Sequence, residues 1–417
     1  MKTMKLYKII AAAVIAMAMA GSAMAQTTTP YSKVGYGLLS DNASGIQRSM
    51  GGVGYAMQDG RIINAMNPAS YSQVDSLTFL WDMGLTLTNV WSKEDDHKGH
   101  GMGGGLDYIT AQFKLGKHIG GSFGLIPYSS VGYSFGSAIS GGTEYRTGSG
   151  GLNQLYLGAG WEMFKNFSLG ANIAYLFGKA TNNNTVQVET GSTALFQRII
   201  QVRDFNIVAG LQYAIPIGKE SKVIVGVTYS PKLTFRGNTW GTYYDSQDEK
   251  LDTVGYISLK GNYERPHTIG AGISYNHGNR LTIEADFTYQ DWSKVKYKPI
   301  EGFEASDMVF DTRWKAAAGV QFSTGTRGSY MGAMKFRLGG YFNHDYINVM
   351  GNNVRDYGAS FGLGFPVPGA NGKTTINLGF EWKHRQAAPV KLIQEDYFNI
   401  TLGVNFNEVW FWKNKIK

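Results

Sequence analysis

The 417-residue chain contains no cysteine. Disulfides therefore cannot stabilise it, and a large core or a lipid environment must do so instead. Charged residues are also scarce, at 17%, and the formal net charge of +8 is not concentrated in any long basic run. A nucleic-acid partner is consequently not indicated.

Long hydrophobic runs are absent too, except for one near the N-terminus. Lysines precede an apolar run at 9–19, and Ala23-Met24-Ala25 then supplies a small-x-small cleavage site. The apolar run is shorter than the roughly 20 residues that a membrane-spanning helix needs. Residues 1–25 are thus predicted to be a signal peptide of an exported protein, and no cysteine follows that could carry a lipid anchor.

Glycine and aromatic residues are abundant, with 55 Gly, 25 Tyr, 22 Phe and 9 Trp. They occur in segments whose polarity alternates with a period of two, which predicts strands with one apolar face. The clearest segment is 281–289, with Leu281, Ile283, Ala285, Phe287 and Tyr289 at one parity and Thr282, Glu284, Asp286 and Thr288 at the other. Because a charged side chain is costly in lipid, the acidic residues are expected to face an interior.

Counting such segments gives about 14 strands, an even number, as in bacterial single-chain barrels. The predicted fold is all-β: a 14-stranded antiparallel transmembrane β-barrel formed by 78–417. The expected strands are approximately 78–90, 106–115, 119–133, 151–163, 166–179, 203–216, 222–235, 266–276, 279–291, 312–323, 334–344, 356–367, 374–384 and 396–407.

The connections between these segments alternate between short and long. Long ones such as 91–105, 134–150 and 180–202 are expected at the extracellular rim, and short turns at the periplasmic rim. The strand-like segment 253–263 is assigned to an extracellular loop, because a further strand would make the total odd.

Residues 26–77 do not alternate, are rich in Gly and Ser, and precede the first strand. A barrel of this size has a lumen that either conducts water or is filled. The segment 26–77 is therefore predicted to be a plug, or hatch, that enters the lumen from the periplasmic side.

A motif in this segment resembles the FadL/TodX family of outer-membrane transporters for hydrophobic compounds. It comprises a Gly-rich run over 45–56 followed by an Asn-Pro-Ala turn, and its key residues are Gly51, Gly52, Gly54, Asn67, Pro68 and Ala69. The resemblance implies a 14-stranded barrel closed by an N-terminal hatch. It also implies a monomer in the bacterial outer membrane that captures a fatty-acid-like or aromatic ligand and releases it sideways into the membrane lipid.

Pro127 lies within the predicted third strand, although proline cannot donate to a strand ladder and a closed barrel has no edge. Together with Gly120, Gly121 and Gly124 it predicts a kink or a gap in strand pairing. The resemblance implies that a lateral gate lies here. The alternative is a proline near the outer end of the strand, above the paired region.

Four apolar residues, Leu195, Phe196, Ile199 and Ile200, lie in a predicted extracellular loop. An exposed apolar patch marks a binding surface, and the resemblance implies a hydrophobic groove at this place. The alternative is that 194–202 extends a strand above the membrane.

Charged residues also recur at the inward parity of three successive strands. These are Glu284, Asp286, Arg313, Lys315 and Arg337. Because an unpaired buried charge is costly, they are predicted to pair with one another and to anchor the plug. The alternative is that they line a polar path.

No enzyme, cofactor or metal site is predicted. Gly132-Tyr133-Ser134-Phe135-Gly136 matches a hydrolase elbow but lacks the strand-turn-helix setting, and two His residues in 91–105 lack a third ligand. The predicted function, which the resemblance implies, is passive uptake of hydrophobic small molecules with lateral exit through the barrel wall. The alternative is a barrel scaffold for a partner in protein secretion or surface attachment. The scaffold predicts a partner that co-purifies and no apolar cavity, whereas an aqueous porin is disfavoured by the plug.

Overall fold

The computed structural model describes residues 29–189, 193–247, 250–258, 263–298, 310–325, 329–368 and 374–409. The predicted signal peptide, 1–25, lies outside these residues. The strands are β1 (Leu38–Leu39), β2 (Thr78–Glu94), β3 (His97–Lys114), β4 (Ile119–Ile139), β5 (Gly142–Phe164), β6 (Phe167–Val188), β7 (Thr193–Ile217), β8 (Ser221–Ser230), β9 (Leu233–Thr234), β10 (Gly237–Gln247), β11 (Lys250–Ser258), β12 (Glu264–Arg265), β13 (Thr268–His277), β14 (Leu281–Asp291), β15 (Thr312–Phe322), β16 (Lys335–Val349), β17 (Asn352–Pro366), β18 (Thr375–Ala388) and β19 (Gln394–Val409). The helices are short: Pro30–Lys33, Gly45–Arg48, Pro68–Gln73, Trp292–Lys294 and Tyr330–Ala333.

Fourteen of the strands form a closed antiparallel barrel. Within the two series β2 to β8 and β13 to β19, each strand pairs with the one that follows it. The ring is closed because β8 pairs with β13 and β19 pairs with β2. The predicted 14-stranded antiparallel transmembrane β-barrel is thereby confirmed.

Side-chain parity separates the two faces of the wall. In β14, Ile283 and Phe287 are exposed, whereas Glu284 and Asp286 are buried. The apolar residues thus face outward, where lipid would cover them, and the acidic residues face the lumen. This is the arrangement that the alternation in 281–289 predicts.

The prediction that 91–105, 134–150 and 180–202 are long loops is wrong, because most of their residues continue the strands. Thus β4 and β5 remain paired up to Ile139 and Gly142, well beyond the apolar band. Outside lipid, both faces of a strand can be polar, so the alternation fades while the backbone ladder continues. We call the barrel end at which β4 to β7 project in this way the extended end, and the opposite end, where β2 begins at Thr78, the short end.

The segment 250–258 lies outside the ring, as 253–263 was expected to. Strand β11 pairs with β10, and β10 pairs with the projecting part of β7. The projecting parts of β4 to β7 and the β10–β11 hairpin thus form a continuous six-stranded sheet at the extended end.

Residues 29–77, here called the N-terminal segment, pack against the inner face of the barrel. Near the extended end, the backbone N–H of Thr29 donates to Gly132 O in β4. At the short end, the helix Pro68–Gln73 packs on β5 and β6, and the segment then leads into β2. It thus runs along the lumen from one end of the barrel to the other.

Candidate functional site

The Gly-rich run of the N-terminal segment begins at a capped helical turn. The N–H of Ser44 donates to Gln47 Oε1 at 2.8 Å, and the Ser44 hydroxyl oxygen accepts from Gln47 N, so the turn is capped from both sides. Gly51 and Gly52 follow with φ of 77° and 83°, a left-handed conformation that favours glycine. A Cβ on Gly51 would lie 2.7 Å from the Gly340 carbonyl oxygen, so the run brings the segment's backbone directly onto the wall.

Two acidic residues of β14 bind the backbone that follows this run. The N–H groups of Gly54 and Tyr55 donate to Asp286 Oδ2 at 2.6 and 2.9 Å, and that of Ala56 donates to Glu284 Oε1 at 2.9 Å. The carboxylates therefore fix the N-terminal segment by accepting backbone hydrogen bonds. Among the described residues, neither of them forms the predicted ion pair with Arg313, Lys315 or Arg337.

The cations of β15 instead meet an aspartate of the N-terminal segment. Arg313 Nη2 and Lys315 Nζ lie 2.7 and 2.6 Å from the two carboxylate oxygens of Asp41. Burial by itself would raise the pKa of the Asp41 carboxyl, but the charges of Lys315 and Arg313 outweigh it and hold the pKa well below its usual range. The alternation along the strand predicted that these two cations face the lumen. Their partner could not be predicted in this way, because Asp41 lies in a segment without alternation.

Arg337 of β16 has neutral partners. Its Nε donates to Gln321 Oε1 and its Nη1 donates to Asn377 Oδ1, both at 2.8 Å. Of the charged residues singled out in the sequence, Arg337 is therefore held by the wall itself, while the other four contact the N-terminal segment.

The Asn-Pro-Ala turn attaches the segment near the short end. Asn67 Nδ2 donates to Tyr55 O at 2.7 Å and to Leu211 O at 3.1 Å, while its Oδ1 accepts from Ala69 N. The asparagine thus caps the helix Pro68–Gln73 and binds β7 with one side chain. A Cβ on Gly210 would lie 2.2 Å from Asn67 Oδ1, so the wall carries glycine where the turn touches it.

Pairing between β3 and β4 is incomplete. It runs from Lys114 and Gly120 to Ile109 and Leu125 and stops there. Beyond this point, β3 pairs only with β2, and β4 pairs with β5 and with β1. We call the space between residues 97–108 and 126–139 the wall gap.

The candidates for a lateral gate take different positions relative to the wall gap. Pro127 lies two residues beyond the last β3–β4 pair, on an edge where a missing N–H is tolerated. Gly120, Gly121 and Gly124 lie in the paired part instead. Gly120 packs against the N-terminal segment, since a Cβ there would lie 1.8 Å from the Tyr71 carbonyl oxygen.

The N-terminal segment binds both sides of the wall gap. Leu38 and Leu39 pair with Ser130 and Ser129 of β4, and the following residue donates its N–H to the Tyr128 carbonyl. On the other side, Arg48 forms an ion pair with Asp107 of β3, with Nη2 3.0 Å from Oδ1. The sequence did not identify these contacts, because neither side of the pairing carries a distinctive motif.

A cavity of about 300 Å³ lies in the lumen behind the wall gap and reaches Pro127 and Ser129. Ten of its 24 lining residues are charged, namely Asp41, Arg48, Asp107, Arg313, Lys315, Asp345, Asp356, Glu381, Lys383 and Arg385. The Nε and Nη1 atoms of Arg385 are buried there and have no hydrogen-bond partner among the residues that the structure describes. Such a lining suits water and polar groups, because a buried ion next to a hydrocarbon is not solvated.

The lumen nearer the extended end is filled by aromatic side chains. Tyr36 of the N-terminal segment is buried and packs against Phe235, Trp292 and Tyr297, with ring centroids 5.2 to 5.7 Å apart. Its hydroxyl donates to the Glu264 carbonyl at 3.0 Å. Since Tyr36 lies outside any alternating segment, nothing in the sequence pointed to it.

The four candidate groove residues lie on β7, which runs unbroken from Thr193 to Ile217. Ile199 and Ile200 are only 4% and 1% exposed. The ring of Phe196 packs edge-on against Tyr243 of β10 at 5.1 Å. These residues therefore lie on an extension of the strand that pairs with β10, Ile200 belongs to the buried cluster around Tyr36, and Ile199 and Ile200 form no exposed patch.

Neither membrane helices nor metal clusters occur in the described residues. None of the helices there is long and apolar enough to cross a membrane. In the same part of the chain, His, Asp and Glu nowhere gather in threes with a geometry that would hold a metal ion.

Comparison with known proteins gives a family match and several similar folds. A family model described as BamG matches residues 5–417. No curated protein matches the chain. Among solved structures, the Ralstonia pickettii toluene transporter TbuX has a TM-score of 0.58 at 14% identity, covering 88% of this chain and 98% of its own.

Two Pseudomonas proteins are similar to the same degree. A FadL homologue of Pseudomonas aeruginosa has a TM-score of 0.62 at 11% identity, over 89% of this chain and 99% of its own. The Pseudomonas putida toluene transporter TodX has a TM-score of 0.60 at 14% identity, over 89% and 99%. The resemblance to the FadL/TodX family thus holds for the barrel fold.

Proposed function

This chain belongs to the BamG family, and from that premise we propose that it is a multi-pass barrel of the bacterial outer membrane that serves as a scaffold for other secreted or surface proteins. The observation that favours this function most is the charged cavity behind the wall gap. A conduit for hydrophobic compounds needs an apolar path, whereas a scaffold needs only a stable barrel and surfaces for its partners.

The contacts within the lumen also favour a permanently filled barrel. The N-terminal segment is bound by Glu284 and Asp286 near its middle, by the Asp41 ion pairs, and by the aromatic residues around Tyr36. Releasing it would leave several buried charges without partners, which is costly. A scaffold benefits from such a rigid interior.

The six-stranded sheet at the extended end offers a surface for a protein partner. Val254 and Tyr256 of β11 are 70% and 63% exposed, and Tyr145 of β5 is exposed as well. Exposed apolar and aromatic side chains on a sheet beyond the membrane are typical of interaction sites.

Isolation of the full chain from its native outer membrane in mild detergent tests the scaffold function. We expect a stoichiometric polypeptide partner to co-purify, and deletion of the chain to leave uptake of radiolabelled toluene and oleate unchanged. A lone monomer, together with reduced uptake in the deletion strain, would contradict the scaffold.

Passive uptake of fatty-acid-like or aromatic compounds, with lateral exit into membrane lipid, is the second candidate. The wall gap beside Pro127 favours it, because a break in strand pairing is a route through the wall. Proteoliposomes test it directly. If the barrel is a transporter, wild-type protein accelerates toluene or oleate entry and Pro127→Ala alters the rate; if it is not, entry equals that of empty liposomes.

A further inference from the structure

The wall gap leaves one edge of β3 without a neighbouring strand. Residues 97–108 pair with β2, but β3 pairs with β4 only as far as Ile109. Backbone groups of an antiparallel strand alternate between its two neighbours. About half of the N–H and C=O groups of 97–108 therefore point into the wall gap.

Part of this edge lies within the apolar band. Leu106 and Met102 of β3 are exposed on the outer face, and the residues opposite them on β2 include Leu85. Leu125 is exposed on the other side of the wall gap. Lipid tails offer no hydrogen bonds, so open strand edges do not persist in the hydrocarbon region.

The N-terminal segment pairs by its backbone with only the β4 side of the wall gap. Its Leu38–Leu39 strand pairs with Ser129 and Ser130, whereas residues 97–108 meet it through side chains: Asp107 binds Arg48, and the Tyr108 hydroxyl accepts from Gly45 N. Within the part of the chain that the structure describes, no backbone pairs with 97–108 on this side.

We propose that the edge of β3 at the wall gap binds an extended strand of a second outer-membrane polypeptide by backbone pairing. This proposal rests on the scaffold function and names the site at which a partner would dock. Gly101, Gly103 and Gly105 leave the edge without bulky side chains, so a second backbone can approach it.

The surroundings of the edge specify the character of the partner strand. Its outward side chains would lie beside Met102 and Leu106 in lipid and must be apolar. Its inward side chains would face the charged cavity beside Arg48 and Asp107 and must be polar. This alternation is that of a transmembrane β-strand. A hydrocarbon ligand would satisfy neither the free backbone groups nor the ionic lining.

Hydrogen–deuterium exchange of the full chain tests the proposal in two preparations: purified protein in lipid nanodiscs, and native outer-membrane vesicles. The backbone amides of 97–108 that point into the wall gap should exchange freely in nanodiscs and more slowly, by about tenfold or more, in the vesicles, whereas those bonded to β2 should be protected in both. Amides of 169–176 in β6, which are paired on both sides, serve as the control and should be slow in both. Fast exchange of 97–108 in the vesicles, or equal protection in nanodiscs, would overturn the proposal.

Photocrosslinking identifies what lies at the edge. A benzoylphenylalanine at Met102 should crosslink to a polypeptide in native membranes, whereas the same group at Leu157, on a fully paired part of the wall, should reach lipid. Crosslinks from Met102 to lipid alone would overturn the docking site. If a partner still co-purifies in that case, the scaffold function survives; if none does, both proposals fail.

Discussion

Asp107 and Tyr128 are the extra residues of two β-bulges, which lie two and three residues beyond the last pair between β3 and β4. On β3, Leu106 and Tyr108 pair with consecutive residues of β2, which leaves Asp107 unmatched, and on β4 the residue between Pro127 and Ser129 is unmatched in the same way. A bulge bends its strand and increases its local twist. The two bulges therefore make β3 and β4 diverge, and this divergence opens the wall gap.

The ion pair between Arg48 and Asp107 should stabilise the β3 side of this opening. We expect Arg48→Gln to lower the free energy of unfolding by about 1–3 kcal/mol, because a largely buried carboxylate loses its partner. Urea unfolding followed by tryptophan fluorescence measures the change. Arg61→Gln is the matched control: Arg61 lies 3.7 Å from Asp75 in a solvent-exposed pair, and its loss should cost less than about 0.5 kcal/mol. Equal effects of both variants would contradict the role of Asp107.

Asp41→Asn removes the carboxylate that Arg313 and Lys315 share. Both cations are almost fully buried, while Asp41 is partly exposed, so we expect a loss of about 2–3 kcal/mol in the free energy of unfolding. The measurement is the urea midpoint of the barrel in detergent. Asp96→Asn, at the exposed tip of the β2–β3 hairpin, should leave the midpoint unchanged.

The same carboxylate predicts a pH dependence. Because the pKa of Asp41 is lower in the folded than in the unfolded chain, its charge contributes stability above the unfolded value of about 3.9, and this contribution is lost as the pH falls through the folded-state pKa. The stability difference between wild type and Asp41→Asn should thus be constant above about pH 5 and shrink below about pH 4. Unfolding curves between pH 3 and 7 measure it. A difference that grows on acidification would contradict the assignment.

Gly226→Ala should displace the N-terminal segment while leaving the ring of strands intact. A Cβ at Gly226 would lie 1.9 Å from the Tyr55 carbonyl oxygen, and this clash is with backbone. We expect planar-bilayer recordings to show open-channel events that wild type lacks. Gly116→Ala is the control, since nothing lies within 4 Å of a Cβ there. A variant as closed as wild type would show that the segment does not seal the lumen.

The barrel was predictable because its wall obeys one repeated constraint. Every spanning strand must be apolar toward lipid, so the parity of Glu284 and Asp286 alone separates inside from outside. The strand ends were not predictable in the same way, since β4 and β5 stay paired beyond the lipid, where alternation is no longer required.

The contacts of the lumen could be predicted only in part. Alternation placed Arg313 and Lys315 on the inner face, but their partner Asp41 lies 272 and 274 residues earlier in the chain, in a segment without period. The glycines that precede the Asn-Pro-Ala turn indicated that the backbone of this segment packs closely against another part of the chain, but not which strands it contacts. Tyr36 gave no signal, because it lies outside the alternating segments and its neighbours Trp292 and Tyr297 come from a connection between strands.

The hydroxyl of Thr29 donates to Glu395 Oε2 at 2.9 Å, across 366 residues of sequence. Glu395 lies on the last strand, which also completes the ring by pairing with β2. The side chain of the first described residue therefore gains this carboxylate partner only when the last strand is in place, although its backbone N–H already has a partner in β4. Contacts of such separation slow folding, because the intervening chain must be closed into a loop before they form. The anchorage of the Thr29 side chain is thus coupled to the placement of the last strand.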